Sequence, residues 1–266
     1  MGSREQRLVF GEDPELYDQA RPGYADAVVD SVLAYGGIAP ARCEAVEIGA
    51  GTGKATEAFA ARGIRIRAIE PDPAMARVGA RRCASYPEVS FHQSSFEEWV
   101  GAAHSVDLVF SGQAWHWVRP EVRAKKAANL LRTPGTLACM WHRMEWADDD
   151  PLRAELLECY RATAPELLAR RPSFPGVNRT DAAGDEGEEI TGSGCFTDVA
   201  VRHHRWREEL SGDALVARLA TQSDHRLAPE AVRRAVFGEL RRIVAAHGGV
   251  ISLHQDTVLV LGRPAK

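Results

Sequence analysis

The feature that most restricts this chain is a run of alternating glycines, Glu47-Ile48-Gly49-Ala50-Gly51-Thr52-Gly53-Lys54. Ala45–Ile48 before it reads as a short apolar strand, and Lys54–Ala61 after it as a helix closed by Arg62-Gly63. Glycines at a strand-to-helix junction let the backbone approach a ligand closely. The helix start there also offers N–H donors that have no partner within the helix.

The same alternation continues. Ile64–Glu70 has the two-residue period of a strand, and Pro71–Tyr86 reads as a helix with Pro73 at its first turn. Val89–His92, Val106–Phe110 and Thr136–Trp141 read as the next strands. Pro120–Leu131 is a helix stopped by Pro134-Gly135. Strands separated by helices in this way predict a parallel sheet covered on both faces.

After Trp141 the pattern breaks. Asp150 suits an N-cap and Pro151 a first helical residue, opening a helix through Leu152, Leu156, Leu157 and Tyr160. Residues 171–194, rich in Pro, Gly and acid, read as a loop. Phe196–Arg207 resumes as a strand. Pro229–His247 is a helix with Val232, Val236, Leu240, Ile243 and Val244 on one face, and Thr257–Leu261 is a last strand. Residues 145–194 therefore read as an insertion within a single domain spanning 1–266.

Charge and cysteine content narrow the function. Thirty-seven acids against 33 bases give a net charge of −4, unlike the basic surface of a nucleic-acid-binding protein. No apolar run approaches the roughly 20 residues of a membrane span, and the charged N-terminus has no signal-peptide core. The five cysteines, Cys43, Cys83, Cys139, Cys159 and Cys195, form no CxxC pair. Reduced thiols in a cytoplasmic protein are the expectation.

Three ligands compete for the glycine run. A P-loop needs four residues between its glycine and Gly-Lys, then Ser or Thr; here Gly49 leaves three before Gly53-Lys54, and Ala55 follows. A dinucleotide fingerprint would read GxGxxG, and its pyrophosphate would meet Glu47. A ligand with a ribose, an ammonium and no phosphate fits better. Glu47 suits the ammonium, and Glu70, 21 positions after Gly49 at a strand end, suits the ribose hydroxyls. That ligand is S-adenosylmethionine. The plainer alternatives are a surface carboxylate at Glu47 and a solvated strand end at Glu70.

The segments EIGAGTGK and IEPDPAM resemble the first two motifs of class I S-adenosylmethionine-dependent methyltransferases, and QSSFEEW, DLVFSGQAWHWV and LLRTPGTL continue the likeness. YDQARPGY and the stretch around Gln255-Asp256-Thr257 look like a branch of small-molecule methyltransferases of bacterial and fungal specialised metabolism. The resemblance implies a Rossmann-like α/β fold: a seven-stranded sheet with its last strand antiparallel and helices on both faces.

It also implies a set of cofactor contacts. Glu47, Gly49, Ala50, Gly51 and Gly53 would cradle the cofactor, with Glu70 on the ribose and Pro71 and Met75 beside the adenine. Ser95 and Phe96 would sit at the adenine rim, although many relatives carry an acid where this chain has Ser95. Ser111, Gly112 and Gln113 would border the methionine portion. Tyr17 and Arg21 would lie over the cofactor from an N-terminal helical segment, residues 1–40.

Four of the six tryptophans, Trp115, Trp117, Trp141 and Trp146, follow the fourth and fifth strands together with His142. Aromatic walls there would exclude water, attract a sulfonium and suit a flat or apolar acceptor. His116 is the expected general base or acceptor-orienting group, with His142 its rival, and residues 145–194 are the expected acceptor lid. No metal is expected. The neighbours Asp148, Asp149 and Asp150 do not converge on one ion, and His203 and His204 point to opposite faces of a strand.

The expected reaction is methyl transfer to an oxygen, nitrogen or carbon nucleophile of a small metabolite. The alternative is a rearrangement that uses the bound sulfonium only as a fixed charge. Neither nucleic acid nor membrane is an expected partner; monomer and homodimer both stay open.

Overall fold

The computed structural model describes residues 9–146, 150–169, 174 and 183–265. Its strands are β1 (Glu44–Ile48), β2 (Arg65–Glu70), β3 (Val89–Gln93), β4 (Val106–Gly112), β5 (Leu131–Glu145), β6 (Phe196–Ser211) and β7 (Val250–Pro264). They form one sheet in the order β3-β2-β1-β4-β5-β7-β6. β1, β2, β3, β4 and β5 run parallel, and β7 is antiparallel. The chain moves outward from β1 through β2 to β3, then returns to β4 on the other side of β1. Order reverses between β1 and β4, and ligands of open α/β sheets bind beyond the strand ends at such a reversal.

The chain divides into two compact units, one of residues 22–142, 182–204 and 257–266, the other of residues 1–21, 143–181 and 205–256. In the first, strand alternation sorts the core into two faces. Leu137, Cys139 and Trp141 of β5 join Val46, Val109 and Val258 under one face. Ala138 and Met140 join Ala45, Leu108 and Leu259 under the other. Helix Pro120–Leu130 covers the first face through Ala127 and Leu130. Helices Asp26–Gly36 and Lys54–Ala60 cover the second through Val28, Val32, Phe59 and Ala60.

The second unit has its own core. Helix Glu230–Ala246 lays Val236, Leu240, Ile243 and Val244 against Leu156 and Tyr160 of helix Pro151–Thr163 and Leu215 and Leu219 of helix Gly212–Ala220. Asp150 caps its helix as expected, accepting from the Arg153 N–H at 3.1 Å.

Several elements depart from the sequence expectation, β6 and β7 by running longer than read. β5 begins at Leu131 rather than Thr136: Leu131 pairs with Val106 and Thr136 with Leu108, so residues 132–135 bulge out with Pro134 among them. A bulge accommodates a residue that lacks an N–H. The expected loop at 171–194 contains helix Ala183–Gly192, which buries Ile190, leaves Glu188 exposed and pairs Glu189 with Arg123. So few apolar anchors leave no helical period to read. Helix Gly212–Ala220, which follows β6, was not anticipated; Ser211 caps it at the Ala214 N–H.

Among the described residues no helix is long and apolar enough to cross a membrane. Beneath the glycine run, Phe59 and Phe110 stack at 4.3 Å between centroids, both fully buried. Phe59→Ala should destabilise the protein by about 3–5 kcal/mol, read as a lowered urea midpoint.

Candidate cofactor and acceptor site

Gly49, Gly51 and Gly53 take φ values of +68°, +57° and +81°, where L side chains are strained. Space is short as well. A Cβ on Gly49 would lie 2.4 Å from the Ala114 methyl, and one on Gly53 3.1 Å from Gly79 Cα. The N–H groups of Gly49 and Ala50 both donate to the Ile69 carbonyl, at 2.9 and 3.0 Å. The next N–H, of Gly51, donates to Glu70 Oε2 at 2.8 Å, while the Asp72 N–H donates to Oε1 at 2.9 Å. Asp72 in turn caps helix Pro73–Arg82 through the Ala74 and Met75 N–H groups. Met75 is buried, with its Cε 3.6 Å from where a Gly51 Cβ would stand, while Pro71 is exposed.

Both acids of the motif are buried, Glu47 at 1% and Glu70 at 8% exposure, which removes the surface alternatives for each. Glu47 accepts a hydrogen bond from the Thr56 hydroxyl at 2.5 Å. Burial pushes Glu47 up to about 8, against the Thr56 bond and with help from the charge of Glu70. Burial likewise pushes Glu70 up to about 7, although its two backbone N–H partners pull the other way. A glycine cradle beside two desolvated carboxylates is short of positive charge and of hydroxyl donors. An ammonium and a ribose supply both, so these residues fit the expected cofactor.

At the end of β4, Ser111 is fully buried and donates to the Ile48 carbonyl at 2.9 Å, so its hydroxyl ties β4 to β1. Gln113 takes φ +61° and its N–H donates to the Met140 carbonyl at 2.8 Å. A Cβ on Gly112 would lie 2.5 Å from the Tyr24 hydroxyl oxygen. Tyr24 stacks on His142 at 4.6 Å, and His142 Nδ1 lies 2.9 Å from the Thr257 hydroxyl. Tyr24 closes the YDQARPGY segment from which only Tyr17 and Arg21 were expected at the site. Its stack depends on a contact 118 positions away that no local pattern shows.

The other expected residues are engaged as follows. Ser95 donates to Glu98 Oε2 at 2.9 Å and accepts from the Glu98 N–H at 3.2 Å, so its hydroxyl serves a turn. Phe96 is buried in the first-face core, with Lys126 Nζ 5.2 Å from its ring centroid. The expected single wall of tryptophans is not what the fold builds. Trp115 and Trp141 enter the same core, and neighbouring strand residues alternate, so His142 takes the opposite face from Trp141. Trp146 belongs to the core of the other unit, 6.3 Å from Phe174. Tyr17 and Arg21 lie in that unit too, where Arg21 donates to the Thr221 hydroxyl and carbonyl at 2.8 and 3.1 Å. Asp148 and Asp149 lie outside the described residues, and so does part of the 145–194 insertion.

Trp117 and His116 stay together on a short 3-10 turn, Trp115–Trp117, with ring centroids 4.7 Å apart. His116 is exposed in part. Even so, the protein packed around its ring and the Arg123 guanidinium outweigh Glu189 and hold it down to about 4. Its imidazole is neutral at pH 7.

A parallel sheet reversing between β1 and β4, a left-handed glycine cradle after β1 and a buried acid closing β2 define a nucleoside-cofactor protein of the α/β class. Residues 46–139 match the family model described as a methyltransferase domain. An uncharacterized methyltransferase of Mycobacterium tuberculosis is 28% identical over 258 residues, spanning 92% of this chain and 88% of that protein. A solved structure from Anaeromyxobacter dehalogenans, assigned as a type II methyltransferase, shares the fold at TM-score 0.65 and 23% identity, covering 91% of this chain and 97% of that one. Another is Haemonchus contortus phosphoethanolamine N-methyltransferase 2 with phosphomonomethylethanolamine and S-adenosylhomocysteine, at TM-score 0.56 and 12% identity, covering 100% of this chain and 61% of that one. The methyltransferase-domain match and these likenesses indicate a class I S-adenosylmethionine-dependent methyltransferase, with S-adenosylmethionine as the cofactor.

The two buried acids have a consequence for stability. Their folded pKa values lie above the ordinary carboxylate value of 4.5, so their contribution is complete below that pH and is lost as pH rises through about 7 and about 8. Without cofactor, Glu47→Gln should melt increasingly above the natural protein as pH is raised from about 5 to about 8.5. Thermal melts across that range check this, and parallel curves would contradict the buried charge.

Proposed function

We propose that this methyltransferase acts on a small metabolite with a flat or apolar body, presenting an oxygen, nitrogen or carbon nucleophile. The observation that carries this reading is the Tyr24–His142 stack above Gly112, at the end of β4 and directly across from the glycine cradle's strand. Trp117 adds an aromatic edge beside His116. The net charge of −4 supports a small acceptor over nucleic acid. Five free cysteines support a reducing compartment such as the cytoplasm, and the fungal and bacterial branch resemblance supports specialised metabolism.

When bound, S-adenosylmethionine supplies an electrophilic methyl on a cationic sulfonium. Methyl transfer to an in-line nucleophile is then largely a matter of positioning. In this reading Glu70 accepts from the ribose hydroxyls with the lone pairs its two backbone partners leave over. Glu47 compensates the ammonium, and the N–H groups and bare Cα atoms of Gly49, Ala50, Gly51 and Gly53 let the ligand lie on the loop. Tyr24 and Trp117 turn aromatic surface to the acceptor and keep water from the reacting atoms.

His116 accepts a hydrogen bond from the nucleophile. With its pKa held at about 4 it is a weak base, so orientation is its main contribution and the proton passes on to solvent.

Glu70→Ala should weaken binding of S-adenosylhomocysteine by about 2–4 kcal/mol, because charge-assisted bonds are worth roughly 1.5–3 kcal/mol each. It should also lower stability, since it strands the Gly51 and Asp72 N–H groups. Titration calorimetry on the folded variant checks the first effect; unchanged affinity would remove Glu70 from the ribose site. His116→Ala should lower turnover by about tenfold, the worth of one lost hydrogen bond to the nucleophile, with S-adenosylhomocysteine affinity kept. Turnover is read by product mass in a screen of candidate acceptors. A gain of one methylene unit marks transfer, and an isomer without that gain would overturn it.

A further inference from the structure

Arg123 is a buried cation on helix Pro120–Leu130, its side chain 8% exposed. Burying a guanidinium is costly unless its donors are satisfied, and the arrangement of those donors shows what the residue is for. Nε and Nη2 form a two-pronged pair with Glu189, at 2.7 and 2.5 Å. Nη1 donates to the carbonyls of Trp115 and Val118, at 3.3 and 3.1 Å. The same guanidinium lies 5.8 Å from the Trp115 ring centroid. One planar group thus grips the first residue of the Trp115–Trp117 turn and the residue that closes it, with His116 between.

We infer that Arg123, anchored by Glu189, is the positioning residue of His116: it locks the turn and so fixes the direction in which the imidazole meets the acceptor. The inference rests on the reading of His116 as the acceptor-orienting group.

A lysine could not do this. Its ammonium is a point charge on a flexible stem, whereas the guanidinium presents five N–H donors in a fixed fork. Glu189 supplies the second half of the clamp. It sits on helix Ala183–Gly192, in a stretch whose sequence reads as a loop, and orients Arg123 without touching the turn. The charged groups facing the His116 ring come from these two helices, Arg123 disfavouring its protonated form and Glu189 favouring it. Burial around the ring is the main cause of its low basicity, and the clamp sets the direction of the imidazole and adds the Arg123 charge.

The test uses the full chain labelled at histidine, with the His116 ring resonance assigned by its loss in His116→Ala. In the natural protein that resonance should titrate near 4. In Arg123→Gln the midpoint should rise, because the repelling charge is gone. Arg123→Lys keeps the charge and is the milder variant for folding. There the midpoint should move less, while the His116 and Trp117 ring shifts move away from their natural values as the turn loosens. Both variants should bind S-adenosylhomocysteine within about twofold of the natural protein and lose turnover by up to about tenfold, with KM for the cofactor unchanged.

A histidine titration and ring shifts that superimpose on the natural protein in both variants would overturn the inference and leave Arg123 a purely structural ion pair. Full turnover in His116→Ala would instead overturn the reading of His116, and the resonance titration would still decide what Arg123 does to that ring.

Discussion

The site depends above all on one carboxylate. Glu70 closes β2 and uses each oxygen once toward the backbone, on the Gly51 N–H within the cradle and on the Asp72 N–H at the start of the next helix. Three consecutive N–H groups, of Gly49, Ala50 and Gly51, are thereby turned toward the end of β2, two onto the Ile69 carbonyl and one onto Glu70. A loop of glycines has little conformational preference of its own and loses much entropy on ordering. The Ile69 carbonyl and the buried acid, which together receive these N–H groups, supply the order that the glycines lack.

How the strands divide their side chains decides the rest. The two-residue period sends Trp141 into the core and His142 to the face occupied by Tyr24 and Thr257. On the neighbouring segment, Trp115 turns inward while His116 and Trp117 stay at the edge. Aromatic residues crowded together in the sequence are therefore dispersed in space, and those that remain at the strand ends are fewer and more polar than their count implies.

The fold was largely legible because each strand and helix of the first half carries its own period and its own stop. The cradle was legible for the same reason: glycine spacing, Glu47 and Glu70 all fall within 24 consecutive residues. What could not be read were contacts between distant segments. Thr56 as the partner of Glu47 needs the helix to turn back over β1, and Tyr24 on His142 needs the whole sheet. Arg123 looks like one more surface arginine on a charged helix until Glu189, 66 positions on, is brought to it. The extents of β5, β6 and β7 were underestimated, because polar residues at their ends break the apolar pattern without breaking the backbone ladder.

Two carboxylates held near neutrality make the cradle a proton reservoir. Burial pushes Glu47 up to about 8, even though the Thr56 hydroxyl donates to its Oε2. On the reading proposed here, an arriving ammonium takes the place of the Glu47 proton, and loading the site discharges acid into the surrounding buffer. Cofactor occupancy and protonation then compete for the same interior charge. On that reading, a drop in ambient pH opposes cofactor binding as a competitive ligand would.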